Sequence, residues 1–274
     1  MSAVQTPAND RLAESLLAFW AEAGVNAMLL DTPVDRIEAG RIAPPRAPDR
    51  TSSAAAPRPA APVGPDISEQ VAAARKAASE AGDLEALAAA IAAFDGCPLK
   101  FEGAAQQAVF SRGNPKAPLI VIGEGPGAEE DARGLPFVGR AGQLLDRMLA
   151  AAGLMDRVFI TNTVFWRPPG NRTPTLAEQA VCAPFVERAI ELISPKYLLL
   201  VGGASAKSML KVDEGILSLR GRWFDWRSSD GRLAVPALPT LHPAFLLRQP
   251  AAKKRAWGDL LTMTERLDRT ESPA

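Results

Sequence analysis

The chain is short of cysteine: among 274 residues only Cys97 and Cys182 occur. Two thiols make no disulfide framework, so a reducing, cytoplasmic compartment is expected. Long apolar runs are missing too, and none approaches the roughly eighteen residues that a membrane-spanning helix needs. The N-terminus has no basic stretch leading into a pure apolar one, so no secretory signal is expected. Net formal charge is zero, which by itself gives a nucleic acid no general attraction. A phosphate-binding Walker loop is excluded, because no Gly-Lys-Ser/Thr follows any glycine loop.

Hydrophobic residues make up 47% of the chain, enough for a core in one or two domains. The charge is also uneven. Between Lys196 and Trp257 there are eleven Lys or Arg against four Asp or Glu, a local excess of seven positive charges. That segment suits either contact with a polyanion or a plain solvated basic surface.

Residues 9–24, NDRLAESLLAFWAEAG, read as a short amphipathic helix, and 1–40 as an N-terminal helical segment. Residues 41–66, rich in Pro, Ala, Ser and Arg, read as a disordered linker. The tethered first helix is either a docking element for a protein partner or an unanchored end. A helical lead-in over 67–94 follows, broken at Gly82-Asp83, with Asp83 capping its second half. From residue 95 to about 270, short apolar runs alternate with helical stretches. This alternation predicts an α/β domain, a parallel sheet covered by helices on both faces. Four strands are expected, near Leu119, Phe159, Leu199 and Thr240. Ligands sit at the carboxyl ends of such strands. Those ends carry Gly123-Glu124, Thr161-Asn162, Gly202-Gly203 and His242.

The first of these, LIVIGEGPGA, fits the G-x-G-x-x-A form of the dinucleotide fingerprint. The residues behind it do not. Glu129, Glu130 and Asp131 would repel a pyrophosphate, and Pro126 removes an amide that should face one. The acidic residue that should hold a ribose is missing from VFITNTVFW. The three acids suit a helix first turn instead. Glu124, Asn162 and His242, with an aromatic such as Phe137, suit a planar base. Asn presents donors and an acceptor in one plane, an aromatic stacks, a carboxylate orients water, and a histidine donates to a carbonyl that gains charge.

Three separated segments, GEGPGAEEDARGLPFVGRAGQLLDRML, ITNTVFWRPPGNRTPT and LHPAFLLRQP, resemble the family 4 uracil-DNA glycosylases over roughly residues 94–267. The resemblance implies a three-layer α/β/α sandwich with a central four-stranded parallel sheet. It implies a DNA repair hydrolase that flips uracil from DNA and cleaves its N-glycosidic bond, leaving an abasic site. On that analogy Phe137 stacks on the base, Asn162 reads its pairing edge, and Gly123 and Gly125 border the pocket. His242 donates to a uracil carbonyl as the base leaves. Glu124 and Asn171 position water or stabilise the sugar, and Glu130 is a weaker candidate for holding the loop. Leu246 or Leu247 would wedge into the stack and Arg248 would bind phosphate. Each residue also has a plainer reading: Asn171 as a turn, Asn162 as a strand-end cap, Phe137 as core, the two leucines as helix packing. A monomer acting in the cytoplasm at the nucleoid is expected.

The sequence departs from that family in two ways. Many glycosylases of the superfamily carry an Asp where this chain has Gly125, so water activation must be looser or come from elsewhere. Typical type-4 members also hold a [4Fe–4S] cluster on four cysteines. Here Cys97 and Cys182 fit two positions, but Phe94 and Trp166 stand at the other two. Two thiolates cannot hold such a cluster, so none is expected, with hydrophobic packing in its place. These departures leave room for a second reading, a catalytically weak DNA-binding or scaffold protein of the same fold.

Overall fold

The computed structural model describes residues 67–271. The N-terminal helix and linker expected over 1–66 lie outside the described residues. Among those described, no helix is long and apolar enough to cross a membrane.

A six-stranded sheet organises the chain. In chain order its strands are β1 (Ser111–Gly113), β2 (Leu119–Gly123), β3 (Val158–Asn162), β4 (Tyr197–Val201), β5 (Phe224–Arg227) and β6 (Ala234–Thr240). Their spatial order is β1-β3-β2-β4-β6-β5. The four expected strands form the centre and run parallel. Two short strands that the periodicity did not reveal, β1 and β5, add antiparallel edges.

Strands β2, β3 and β4 are buried along their whole length, as parallel strands covered on both faces must be. Their side chains alternate between two cores. Ile120, Ile122, Phe159, Leu198 and Leu200 face one side. Leu119, Val121, Val158, Ile160 and Leu199 face the other.

The first face is covered by α1 (Ile67–Glu80), α2 (Leu84–Ala93), α5 (Leu176–Ile193) and α6 (Gly203–Leu210). Small residues Ala74 and Ala78 of α1 are buried in the same core as Phe185 and Val181 of α5. The lead-in helices are therefore part of the sandwich itself. Asp83 caps α2 by accepting a hydrogen bond from the Ala86 N–H at 2.8 Å. The second face is covered by α4 (Arg140–Ala151) and α9 (Lys253–Glu271), through Leu145, Leu149, Leu260, Met263 and Leu267. Short helices α3 (Ala128–Arg133), α7 (Ile216–Leu219) and α8 (Pro243–Arg248) complete the set.

Because the chain passes from β2 to β3 on one side and then to β4 on the other, the order reverses beside β2. Open α/β sheets bind ligands at the carboxyl ends flanking such a reversal.

Candidate active site

A cavity of about 590 Å³ opens at those ends. Glu124 and Gly125 line it from the β2 loop, Asn162 from the end of β3, and His242 from the start of α8. Glu130, Phe137, Asn171 and Arg248 complete the sequence-predicted residues on its wall. These positions are far apart in the chain and meet only because the parallel strands end on one side.

Asn162 is 2% exposed, and among the described residues its Oδ1 has no hydrogen-bond partner. A buried acceptor left unpaired costs free energy, so an acceptor held at a cavity wall is chemistry waiting for a donor. Beside it, Gly123 is the ladder partner of Asn162. A Cβ on Gly123 would overlap both Asn162 Oδ1 and the Phe137 ring. Gly123 does not line the cavity; its contribution is to let those two side chains close over the backbone.

The Phe137 and His242 rings lie 5.8 Å apart, tilted by 33°. His242 is the N-cap of α8, its Nδ1 accepting the Ala244 N–H at 3.1 Å. That bond fixes the tautomer: in the neutral ring the proton is on Nε2, leaving a donor. Burial lowers the His242 pKa to about 4, with the nearby Arg248 charge pushing the same way and Glu130 opposing. The imidazole is neutral at physiological pH.

The Glu124 carboxylate has no partner among the described residues, and the Glu124 carbonyl accepts the Thr163 hydroxyl at 2.6 Å. Asn171 has a left-handed backbone (φ 54) and its Oδ1 accepts from Arg167 Nε at 2.8 Å. It is a turn residue and a wall residue at once. At Gly125, a Cβ would sit 2.8 Å from Val164 Cγ2. The β2 loop thus packs too closely on Val164 for a side chain at that position without displacement.

Two of the three acids behind the loop have structural partners. Glu130 accepts the N–H groups of Gly127, Val138 and Gly139 at 3.1, 2.9 and 2.8 Å. Asp131, fully buried, accepts the Gln106 N–H at 2.9 Å. The amide at Gly127 that a pyrophosphate would need is already taken, which closes the dinucleotide reading.

One pair of expectations separates. Leu246 is fully buried in a cluster with Leu144, Leu241 and Ala256, so it is not available to wedge into a base stack. Leu247, the next residue round the helix, is 36% exposed.

Comparison with known proteins identifies the family. The model of the uracil DNA glycosylase superfamily matches residues 110–261. The chain is 41% identical over 153 residues to the type-4 uracil-DNA glycosylase of Sulfurisphaera tokodaii, covering 54% of this chain and 69% of that protein. It is 38% identical over 161 residues to the type-4 enzyme of Thermotoga maritima (58% and 80%). With that of Pyrobaculum aerophilum it shares 37% over 172 residues (61% and 85%). The chain belongs to the type-4 uracil-DNA glycosylases.

Within that family the cluster positions stand out. Cys97 and Cys182 are both buried, with their sulfurs 3.9 Å apart. Trp166 is 1% exposed and stands edge-on to Phe165, and Phe94 is edge-on to Phe185 at 5.2 Å. Among the described residues no group of three or more His, Cys, Asp or Glu is placed to hold a metal. The donor set does not fit a four-thiolate cluster. Aromatic rings stand at the other two positions, Trp166 buried and Phe94 half-buried, and full burial of a large apolar side chain contributes about 1.5–3 kcal/mol.

Two further features of this type-4 chain escaped sequence reasoning. Arg172, on the cavity wall, grips Glu178 with both guanidinium nitrogens at 2.9 and 2.6 Å and reaches Glu102 at 3.1 Å. Burial alone would raise the Glu178 carboxyl, but Arg172 and the Thr175 N–H outweigh it and hold it below its ordinary value. Glu178 also closes a capping box with Thr175 at the start of α5, which ties the Asn171 loop to that helix. The R-x-x-x-x-x-E spacing could have hinted at this pair. Nothing in the sequence pointed to the other feature, Arg112.

Proposed function

We propose that the protein is a DNA repair glycosylase that hydrolyses the N-glycosidic bond of uracil in DNA, releasing free uracil and leaving an abasic site. The observation that carries this reading is the buried, unpartnered Asn162 Oδ1 beside the Phe137 ring and the neutral His242. The relatives named above are uracil-DNA glycosylases.

The bond is out of reach inside a duplex, so the nucleotide is flipped into the cavity. Asn162 Oδ1 accepts the ring N–H of uracil, and its amide donates to the neighbouring carbonyl. Phe137 stacks on the base. His242 Nε2–H donates to the carbonyl that gains charge as the base leaves as an anion. Such a donor matters most in the transition state, and a neutral imidazole serves it without first acquiring a proton. Glu124 and Asn171 hold the attacking water and stabilise the positive sugar, a division consistent with the absent side chain at Gly125. Leu247 fills the gap left by the flipped base, and Arg248 meets a phosphate.

We further infer that the chain works without an intact [4Fe–4S] cluster, as a monomer, in the cytoplasm at the nucleoid, with a protein partner for residues 1–40. Anaerobic purification followed by iron assay tests the first point; near-stoichiometric iron with a brown absorbance would defeat it.

The alternative, a DNA-binding or scaffold protein of this fold, is not favoured. A binder has no need of an orphaned pyrimidine-edge acceptor, a stacking ring and an oriented imidazole together. A uracil-containing oligonucleotide treated with the protein and then with alkali decides. Strand breaks that disappear in Asn162→Ala and His242→Ala support the enzyme; tight binding without breaks supports the alternative.

A further inference from the structure

Phe137 has φ 55, the left-handed region that a bulky residue rarely adopts. Such a backbone persists only where its surroundings over-determine it. Three groups do so here. From one side, Glu130 accepts the N–H groups of Val138 and Gly139. From beneath, the first turn of α4 presses so close that a Cβ on Gly142 would overlap the Phe137 carbonyl. From the other side comes Arg112. Its Nε donates to the Pro136 carbonyl at 2.7 Å and its Nη2 to the Phe137 carbonyl at 3.1 Å. The same Nη2 pairs with Asp146 of α4 at 2.6 Å.

Arg112 does not line the cavity. It is carried by β1, a three-residue edge strand in which it stands opposite Ile160. That edge is itself fixed, because the Thr161 hydroxyl donates to the Phe110 carbonyl at 2.7 Å. A rigid planar fork suits two carbonyls and a carboxylate at once, which an ammonium cannot match.

We propose that Arg112, seated by Asp146, is a positioning residue for uracil release: it clamps the peptide units flanking Phe137 so that the ring is presented to the flipped base. This rests on the glycosylase reading, in which Phe137 is the stacking face. Arg112 touches no substrate and acts only through that ring.

The claim is tested by single-turnover rates on a uracil-containing duplex, with a thermal melt for every variant. The set is Arg112→Ala, Arg112→Lys, Asp146→Asn, Phe137→Ala, and each Arg112 change combined with Phe137→Ala. A stacking face displaced by about an ångström costs on the order of tenfold to a hundredfold in rate. Arg112→Ala and Arg112→Lys should each show such a loss, Asp146→Asn a smaller one in the same direction, with KM for DNA changed less than about twofold. In the Phe137→Ala background the Arg112 changes should cost less than about twofold, because residues acting through one another are not additive. The same fold-loss in both backgrounds would show that Arg112 supports the whole domain and overturn the proposal. So would a wild-type rate for Arg112→Lys. If Arg112→Ala does not fold, the Lys series alone completes the comparison. A wild-type rate for Phe137→Ala overturns the stacking reading, and the clamp with it, and is distinguished because it involves no Arg112 variant.

Discussion

Gly123 and Asn162 are ladder partners at the ends of adjacent parallel strands, and the glycine leaves room for the Asn162 amide where any Cβ would overlap its Oδ1. The same Cβ would strike the Phe137 ring. Asn162 and Phe137 are both buried on the cavity wall, so they can give way only into the cavity. Gly123→Ala therefore displaces the Asn162 amide and the Phe137 ring together. Overpacking of this kind costs about 1–3 kcal/mol of stability, and the rate of uracil release should fall on the order of a hundredfold. Single-turnover kinetics beside a thermal melt separate the two. A variant with wild-type kinetics would mean that Phe137 and Asn162 do not need their present places.

The pH profile follows from His242. Its folded pKa, about 4, lies below the roughly 6.5 of an unfolded histidine. Between those values the unfolded chain binds more protons, so stability from the neutral ring is complete above about pH 6.5 and is lost as pH falls toward 4. Protonation also takes Nδ1 away as acceptor for the Ala244 N–H and removes the cap of α8, worth about 1 kcal/mol. The rate should stay level from pH 8 to about 5 and drop only below that. A fall centred near 6.5 in a single-turnover pH series would contradict a neutral donor held by burial.

Iron chelation should leave the protein as it is. Trp166 and the Phe94–Phe185 contact fill space by packing, and two buried sulfurs do not complete a cluster. Treatment with dithionite and a strong chelator should therefore change neither melting temperature nor rate. A melting temperature lowered by more than a few degrees would show that a metal holds this face together.

The parallel core was legible because LIVIG, VFITN and YLLLV are nearly unbroken apolar runs of strand length. The edge strands were not. SRG and FDWR are short, mixed in polarity and paired on one side only, so they carry no periodic signal. The site divided in a similar way. Phe137, Asn162 and His242 meet at the cavity through side chains at loop and strand ends, which residue type reveals. Arg112 works through backbone carbonyls 24 and 25 residues along the chain, and a carbonyl has no letter in a sequence. Glu130 was only half legible for the same reason, since its partners are backbone N–H groups.

The two leucines of α8 show what burial adds to sequence. In a six-residue helix there is too little periodicity to tell the inward face from the outward one. The surroundings decide: Leu246 packs with Leu144, Leu241 and Ala256, and Leu247 is 36% exposed next to Arg248 on the cavity wall. Their alanine variants should fail differently. Leu246→Ala removes core volume and should cost about 2–5 kcal/mol, lowering the melting temperature whatever the substrate. Leu247→Ala touches no core and should stay within about 0.5 kcal/mol of the parent. If Leu247 takes the place of the flipped base, its loss should slow release from duplex DNA several-fold and from single-stranded DNA much less, because a single strand has little stack to open. Parallel rates on the two substrates read this directly, and an equal effect on both would rule out the wedge.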